Sequence, residues 1–536
     1  MSGRTFIALP LVSAEMPLAE QVRAAEAAGA DLVEFRVDCI ADAAAVEKLF
    51  ARPHALPFIL TVRALDEGGA WTGDEAERIA LFERLGLRLP GYVDVEHATW
   101  QRSANLRQKI GLVVDGPDDE ATGRAGERGR RTKNRLILSH HNLRDTPAEL
   151  DLVFDQLAAT PAHIIKAVFA ARDATDACRV LQQLHRRAGE RAVIALATGE
   201  AGLITRVLAR KFGAFLTFAA LRAGAESAPG QPTMDELRRL YRWDQIGSAT
   251  RVYGVVGWPV SHSQGPALHN AALTAAGIDG VYLPLPVQPE YADLVAFMAE
   301  LQRSPALDVV GLSITLPHKE HALRWLDEHG FAVSPLARRV GAVNTLTRGP
   351  DGTWAGDNTD VAGVLTALGA VPRCAGDALR AVRVAILGAG GVARAAAVAL
   401  LEQGCAVTFY NRSAERAERL AQELRCAWRP WAARRRYVGD LLINCTSVGL
   451  WPVADETPIS PEALRPETLV FDTVYRPADT ALLRAAAQRG CECISGAAMF
   501  IGQAAAQFAR WHGRMPDIDI IRRVMASSPA PPQSAR

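Results

Sequence analysis

Lysine is nearly missing from this chain. Of 60 basic residues only six are lysine, Lys48, Lys109, Lys133, Lys166, Lys211 and Lys319; arginine supplies the rest. A lysine inside an apolar run is therefore a residue with a reason. Net charge is also missing: the formal value is +1, which argues against a dedicated nucleic-acid surface. Cysteine is sparse and scattered. The nearest pair among the eight, Cys491 and Cys493, is too close for a zinc knuckle and has no partner pair. That pattern reads as a reduced, cytoplasmic protein with no metal site. No run approaches the ~20 apolar residues of a membrane span, and the start, Met1-Ser-Gly-Arg-Thr-Phe6, lacks a signal-peptide pattern. What is present is the composition of a globular chain, 49% hydrophobic and 22% charged. Its 536 residues allow about three ordinary domains, or two of about 250 residues.

The back half is organised by one stretch. Val382 to Leu387 reads as a buried parallel strand, and it breaks at Gly388-Ala389-Gly390-Gly391 into an Ala-rich helical pattern. Gly388, Gly390 and Ala393 give the G-x-G-x-x-A form of the dinucleotide fingerprint. The first glycine permits the turn, the second lets a pyrophosphate approach the backbone, and Ala393 lets helix and strand pack closely. A second strand, Cys405 to Tyr410, ends in Asn411-Arg412 rather than an acid. An acid there would bind a ribose 2′-hydroxyl, whereas an arginine accommodates a 2′-phosphate. The reading is NADP(H), with Arg412, Ser413 and Arg416 around the phosphate.

In the front half, apolar runs alternate with amphipathic helical patterns. The strand candidates are Thr5–Val12, Asp31–Asp38, Pro57–Arg63, Tyr92–His97, Arg135–His141, His163–Phe169, Ala192–Ala197 and Phe215–Ala220. Helical patterns such as Leu18–Ala28, Asp74–Leu87 and Asp173–Arg187 lie between them. Eight such units in about 240 residues predict an α/β (β/α)8 TIM barrel. Polar residues gather at the strand C-terminal ends: Glu34, Arg36, Arg63, Glu96, His140, His141 and Lys166, with Arg206 after the seventh strand. In such a barrel those ends carry the chemistry. Lys166 stands in His-Ile-Ile-Lys-Ala-Val-Phe, where burial should lower its pKa toward ~7–8 and make its amine a carbonyl nucleophile.

The motifs Glu34-Phe-Arg36-Val-Asp38, Thr61-Val-Arg63, Asp94-Val-Glu96, Ser139-His-His141-Asn142, Ile165-Lys166, Gly202-Leu-Ile-Thr-Arg206 and Ser227-Ala-Pro-Gly-Gln231 follow one another in order. Together they resemble the type I 3-dehydroquinate dehydratases over residues 5–240. The resemblance implies that Lys166 forms a Schiff base with the substrate ketone. It implies that His141 is the general acid/base, positioned by Glu96. Arg63, Arg206, Ser227 and Gln231 would hold the carboxylate and hydroxyls, with Glu34 and Arg36 in the same wall. The logic stands independently: an iminium is an electron sink that acidifies the next carbon, and a neighbouring imidazole shuttles the proton. His140 reads as structural. Two features depart from the family pattern. Ala197-Thr198-Gly199 replaces a common methionine. The segment Asp115–Asn134 is polar and Gly-rich, and reads as a solvated loop.

A short connector, Asp244–Thr250, leads to a second set of motifs. These are Ser261-His-Ser263-Gln-Gly265-Pro, Gly311-Leu-Ser313-Ile-Thr315-Leu-Pro-His-Lys319, Gly341-Ala-Val-Asn344-Thr345, Gly356-Asp-Asn-Thr-Asp360, Asn444-Cys-Thr446, Asp472-Thr-Val-Tyr475 and Gly496-Ala-Ala-Met499-Phe-Ile-Gly-Gln503. They resemble shikimate dehydrogenase over residues 251–525. The implied layout is a substrate domain of 251–360 completed by a helix of about 496–525, and a Rossmann-like NADP domain of 361–495. A tail, 527–536, reads as disordered. Lys319 and Asp360 would be the catalytic pair, since hydride addition to a ketone builds an alkoxide that needs a proton. Ser261, Ser263, Thr315, Asn344, Tyr475 and Gln503 would hold substrate. Gly388, Ala389, Gly390, Gly391, Ala393, Asn411, Thr446 and Gly496 would join the arginines around the cofactor.

Gly265 stands where this family usually carries a second serine, so one carboxylate-binding hydroxyl is missing. The pocket is therefore expected to tolerate quinate, whose ring carries an added hydroxyl, beside shikimate. The whole chain reads as a bifunctional shikimate-pathway enzyme: dehydration of 3-dehydroquinate, then NADPH-dependent reduction of 3-dehydroshikimate to shikimate. The alternative is a dehydrogenase half working oxidatively in quinate catabolism. A regulatory protein on the same domains would have lost Lys166, His141, Lys319 or Asp360, and all four are present. A Schiff-base aldolase would not account for the Arg, Ser and Gln set. The partners expected are small molecules, with no nucleic acid and no membrane.

Overall fold

The computed structural model describes residues 4–12, 16–40, 43–50, 55–87, 91–114, 134–374, 376–380, 382–437, 439–451 and 453–527. Eight short apolar runs form parallel strands: β1 (Phe6–Leu11), β2 (Leu32–Arg36), β3 (Phe58–Thr61), β4 (Gly91–Glu96), β5 (Arg135–Asn142), β6 (Ile164–Ala170), β7 (Ala192–Thr198) and β8 (Leu216–Phe218). They pair in the order β7-β6-β5-β4-β3-β2-β1-β8. The ends of this row meet, because the Phe215 N–H donates to the Val193 carbonyl at 2.8 Å. This is the expected α/β barrel. Side chains alternate along each strand, so every second residue points inward. The inward set Ala8, Leu32, Ile59, Ile137, Ile164, Ile194 and Leu216 packs into one buried cluster that fills the barrel. Polar side chains begin above this apolar plug.

Two sequence expectations shift here. Strand β3 stops at Thr61, and Arg63 opens a tight turn instead. Gly68 adopts φ +78° there, and a side chain on Gly69 would strike the Arg63 carbonyl, so only a glycine pair lets the chain double back. Residues 115–133 lie outside the described residues, as do 528–536. Asn134, expected in a solvated loop, is buried. Its Oδ1 accepts from the Gly91 N–H at 2.9 Å, and its Nδ2 donates to the carbonyls of Gly86 (2.8 Å) and Val113 (3.3 Å).

By mutual contacts the chain divides into two compact units. The first holds residues 1–252 together with 259–261 and 279–308. The two added pieces bring in β10 (Gly280–Pro286) and the helix Tyr291–Arg303, after β9 (Arg251–Gly257). The second unit holds 253–258, 262–278 and 309–536.

Within the second unit, β11 (Val309–Ile314), β12 (Ala332–Val333), β13 (Thr345–Arg348) and β14 (Trp354–Asp357) lie in the order β11-β13-β14-β12, with β11–β13 and β13–β14 antiparallel. A separate parallel sheet follows: β15 (Arg383–Leu387), β16 (Ala406–Asn411), β17 (Ala427–Pro430), β18 (Leu441–Asn444), β19 (Leu469–Asp472) and β20 (Glu492–Ser495). Its order is β17-β16-β15-β18-β19-β20. The strand order reverses between β15 and β18, and ligands bind at such a switch point, outside the strand C-terminal ends. The helices Asp360–Gly369 and Gly496–His512 cross almost backbone to backbone. A side chain on Gly363 would meet the Met499 carbonyl at 2.7 Å, and one on Gly502 would meet the Gly363 Cα at 3.1 Å.

Candidate active sites

The barrel site is a buried polar layer resting on the apolar plug. Register sets Lys166 on β6 beside Ser139 on β5. The Lys166 Nζ lies 2.8 Å from Asp94 Oδ2, 3.8 Å from Glu34 Oε1 and 4.9 Å from the Phe218 ring centre. So the lysine does not sit among Ile and Val alone; it meets two carboxylates and a ring face. Asp94 is fully buried. It also accepts from Ser139 Oγ at 2.6 Å and from Arg63 at 2.9 Å, and despite burial the charges of Arg63 and Lys166 hold its carboxyl below the usual range.

His141 ends β5. Its Nδ1 lies 2.9 Å from Glu67 Oε2, and its own backbone N–H donates to the same oxygen at 3.0 Å. Burial, then the nearby charges of Arg63 and Lys166, push its pKa well below the ordinary 6.5. The imidazole is therefore neutral and able to accept a proton. His140, one residue earlier, faces the other way, with its ring 6.0 Å from Phe169. It belongs to the packing outside the barrel, as expected.

Glu96, expected to position His141, does not do so. Its carboxylate accepts from Arg63 (3.2 Å), from the Ala64 N–H (3.1 Å) and from the fully buried Arg78 (2.8 Å). The residue that holds the imidazole is Glu67, on the turn that Gly68 and Gly69 make possible. Burial raises the Glu67 pKa to about 8, against the pull of Arg63. The sequence signal was an acid followed by two glycines just after Arg63, but it lies outside any strand, where a search of strand ends passes over it.

The two changes separate cleanly. Glu67→Gln should lower dehydration kcat about 10²-fold with little change in KM, since imidazole orientation is lost and substrate contacts are not. Glu96→Gln should instead cost about 3 kcal/mol of stability, because Arg78 and Arg63 lose a buried counter-charge. Steady-state kinetics with thermal melts of both variants checks this; equal kcat losses without a melting shift would put Glu96 back in the chemistry.

Arg206 is buried, with Nη1 donating only to the carbonyls of Ala197 and Gly202, and its Nε has no partner among the described residues. Burial without a counter-ion lowers its pKa to about 10. The Gln231 Nε2 is likewise buried and without a partner among the described residues, while its Oε1 accepts from Ser227 N–H and Oγ at 2.8 and 3.1 Å. These two residues await an anion and an acceptor. Arg63 does not: Asp94, Glu96 and Ser139 already engage it. Arg36 pairs with Asp38 at 2.7 Å, and Glu34 accepts from Thr61 Oγ1 at 2.8 Å. Thr198 is buried, with Oγ1 directed to the Phe169 carbonyl at 3.4 Å.

In the second unit Lys319 is the first residue of the helix Lys319–Glu328, and its Nζ lies 2.5 Å from Asp360 Oδ2. Asp360 opens the helix that crosses at Gly363. Asn344, expected to hold substrate, is fully engaged by the protein. Its Nδ2 donates to Asp360 Oδ1 (2.8 Å) and Thr359 Oγ1 (3.1 Å), and its Oδ1 accepts from Thr345 Oγ1 and the Thr359 N–H, both at 2.8 Å. It aims Asp360 at Lys319. Ser263 is half-buried and its Oγ accepts from the Gly265 N–H at 3.1 Å. Thr315 is half-buried, with its backbone N–H bonded to Val256. Tyr475 stacks on Phe500 at 4.5 Å, and Gln503 packs beside Gly363. Ser261 is exposed and groups with the first unit, where its N–H donates to Glu200.

The cofactor groove opens at the switch point. Gly388 takes φ +108°, with the Cys445 carbonyl 3.0 Å from where a side chain would start. No atom lies within 4 Å of a side chain built on Gly390 or Gly391, so both backbones face open space. Ala389 and Ala393 are buried, Ala393 completely. Ala389, Gly390 and Gly391 line a cavity of about 280 Å³ that Arg416 also borders. Arg412 and Arg416 are exposed and have no acidic partner among the described residues. Ser413 caps the helix Ala414–Leu424, and Asn411 Nδ2 donates to the Ser413 carbonyl at 2.9 Å. A 2′-phosphorylated dinucleotide fits this donor set. Two expected contacts are otherwise employed. Thr446 Oγ1 donates to Asn444 at 2.7 Å, and Gly496 is needed because a side chain there would strike the Val474 carbonyl. Among the described residues no cluster of His, Cys, Asp and Glu could hold a metal ion. No described helix is long and apolar enough to cross a membrane.

Four family models match the chain in order. They are type I 3-dehydroquinase at residues 7–248, the shikimate dehydrogenase substrate binding domain at 255–346, shikimate / quinate 5-dehydrogenase at 373–447, and the shikimate 5′-dehydrogenase C-terminal domain at 496–526. The chloroplastic bifunctional 3-dehydroquinate dehydratase/shikimate dehydrogenase of Arabidopsis thaliana is 37% identical over 516 residues, covering 93% of this chain and 80% of that one. A shikimate dehydrogenase (NADP(+)) of Moorella thermoacetica is 41% identical over 292 residues, 52% of this chain and 94% of its own. Among solved structures, shikimate 5-dehydrogenase from Thermus thermophilus, in complex with NADP(H) and shikimate, is 36% identical with a TM-score of 0.46, covering 52% of this chain and 98% of that one. With family models for both halves on one chain and a relative of the same double composition, this protein belongs to the bifunctional 3-dehydroquinate dehydratase/shikimate dehydrogenase family.

Proposed function

We propose that Lys166, His141 and Glu67 dehydrate 3-dehydroquinate in the barrel, and that Lys319 and Asp360 then serve the NADPH-dependent reduction of 3-dehydroshikimate to shikimate. The observation that carries this reading is the pairing of each lysine with its own buried acid in a separate site, Lys166 with Asp94 and Lys319 with Asp360.

In the barrel, the Lys166 amine attacks the substrate ketone and water leaves, giving an iminium. The iminium draws electrons from the next carbon, and neutral His141 takes the proton released there. The same imidazolium returns its proton to the departing hydroxyl, which leaves as the second water. Hydrolysis takes one water back and frees the amine. Arg206 supplies the counter-charge for the substrate carboxylate, and the Gln231 Nε2 donates to a substrate oxygen. In the dehydrogenase site, bound NADPH supplies the hydride. Lys319 gives a proton to the oxygen that becomes an alcohol, Asp360 holds the ammonium in line, and Asn344 fixes the Asp360 carboxylate. Arg412 and Arg416 hold the cofactor's 2′-phosphate.

The domains that divide this work are the barrel at 1–240, a substrate domain at 251–360 completed by 496–525, and the NADP domain at 361–495. The partners are small molecules, and the compartment is the cytoplasm. A paired assay tests the reading. 3-Dehydroquinate alone should give the ultraviolet absorbance of a conjugated enone, and added NADPH should then be consumed. Absence of either signal removes the corresponding half.

Gly265 bears on substrate choice. Its N–H is bonded to Ser263 Oγ, and glycine offers no second hydroxyl at that turn. Gly265→Ser should raise the ratio of kcat/KM for shikimate over quinate about tenfold, the size of one charge-assisted hydrogen bond. No quinate turnover by either protein would remove quinate from the substrate range.

A further inference from the structure

The cavity beside Gly390 and Gly391 holds more charge than Arg416 accounts for. Arg416, Arg419 and Glu423 lie along one face of the helix Ala414–Leu424 and all border it, as does Arg394 from the helix Gly391–Glu402. The spacing of three and four residues stacks them one turn above another. Arg419 is exposed and has no acidic partner among the described residues. Glu423 does have one: Arg394 Nη1 forms a short ion pair with it. The Arg394 Nη2 reaches the Arg339 carbonyl at 3.4 Å, and its guanidinium lies against Gly341, where a side chain would meet it at 3.0 Å. Gly341 therefore leaves the flat surface on which Arg394 rests.

Two acids border the cavity, Glu320 from the helix Lys319–Glu328 and Glu423, and each opposes phosphate binding. A bare Glu423 would repel the cofactor's phosphates across a cavity of about 280 Å³. Arg394 cancels that charge, and Arg419 then adds a cation one turn beyond Arg416. Resting on the NADP reading above, we propose that Arg419 is a further residue selecting the 2′-phosphorylated cofactor, and that Arg394 is a positioning residue that neutralises Glu423. Preference for NADP over NAD is thus spread along the helix rather than confined to the turn at Arg412.

The test is equilibrium binding by calorimetry to the full chain without substrate. The probes are NADP+, NAD+, 2′,5′-ADP and 5′-AMP. Arg419→Ala should raise the Kd of NADP+ and 2′,5′-ADP about tenfold and leave NAD+ and 5′-AMP within about twofold. Arg394→Ala should weaken NADP+ at least about threefold, and adding Glu423→Gln should restore it. Arg419→Ala with unchanged NADP+ affinity, or with equal losses for NADP+ and NAD+, overturns the selecting role. Arg394→Ala that Glu423→Gln does not rescue overturns the neutralising role. A wild-type chain that binds neither NADP+ nor 2′,5′-ADP overturns the cofactor reading itself, and this inference with it. Arg419 is exposed, so the thermal melt of its variant should stay at the wild-type value.

Discussion

Lys166→Met should reduce dehydration by roughly 10⁵-fold, because the covalent route through the iminium is lost entirely. The loss should be specific. Asp94 keeps Arg63 at 2.9 Å and Ser139 at 2.6 Å, so its carboxylate is not left bare and the barrel should still fold. NADPH consumption with supplied 3-dehydroshikimate should be unchanged. Borohydride should trap substrate on the wild type and not on the variant, read as a mass increase of the intact chain. Retention of more than about a hundredth of the activity would mean that the amine is not the nucleophile, and the roles of His141 and Glu67 would need to be redrawn around simple acid–base chemistry.

Asp360→Asn should lower reduction kcat about 10³-fold while leaving the binding of NADP+ unaltered. The replacement keeps the size of the side chain and removes the charge that holds Lys319. Lys319→Met should lose as much or more, and the double change should lose little beyond the larger single loss, since the two act as one unit. Stopped-flow traces of NADPH absorbance with 3-dehydroshikimate measure this, and enone formation in the same samples serves as the control. Additive losses in the double variant would separate the pair into independent contributors.

Much of this arrangement was legible in the sequence, and the reasons differ by residue. The barrel strands were readable because their apolar runs are short, β-branched and punctuated; β6 runs Ile164–Ala170 against an expected His163–Phe169. Lys166 stood out because lysine is scarce and its neighbours are apolar. The junction of β15 with the helix after it is legible from the fingerprint, whose turn geometry is strict about glycine. Glu67 was missed for a physical reason. Its place depends on the path of a turn, which glycine permits but does not specify. Glu96 is the acid that the family resemblance assigns to His141, and only the position of Arg78 shows where its charge goes. Asn344 was found but its employment was not. A motif shows that an amide is present; it does not show that both of its protons are already donated to Asp360 and Thr359.

The buried Asn134 has a practical consequence for handling this gene product. Its amide ties Gly91, Gly86 and Val113 to the start of β5, so four separate segments of the first unit meet on one side chain. Asn134→Ala would leave the Gly91 N–H and the Gly86 and Val113 carbonyls without this partner, a loss of about 2 kcal/mol that a thermal melt reads as a lower Tm, so any engineered version of the chain should keep the asparagine.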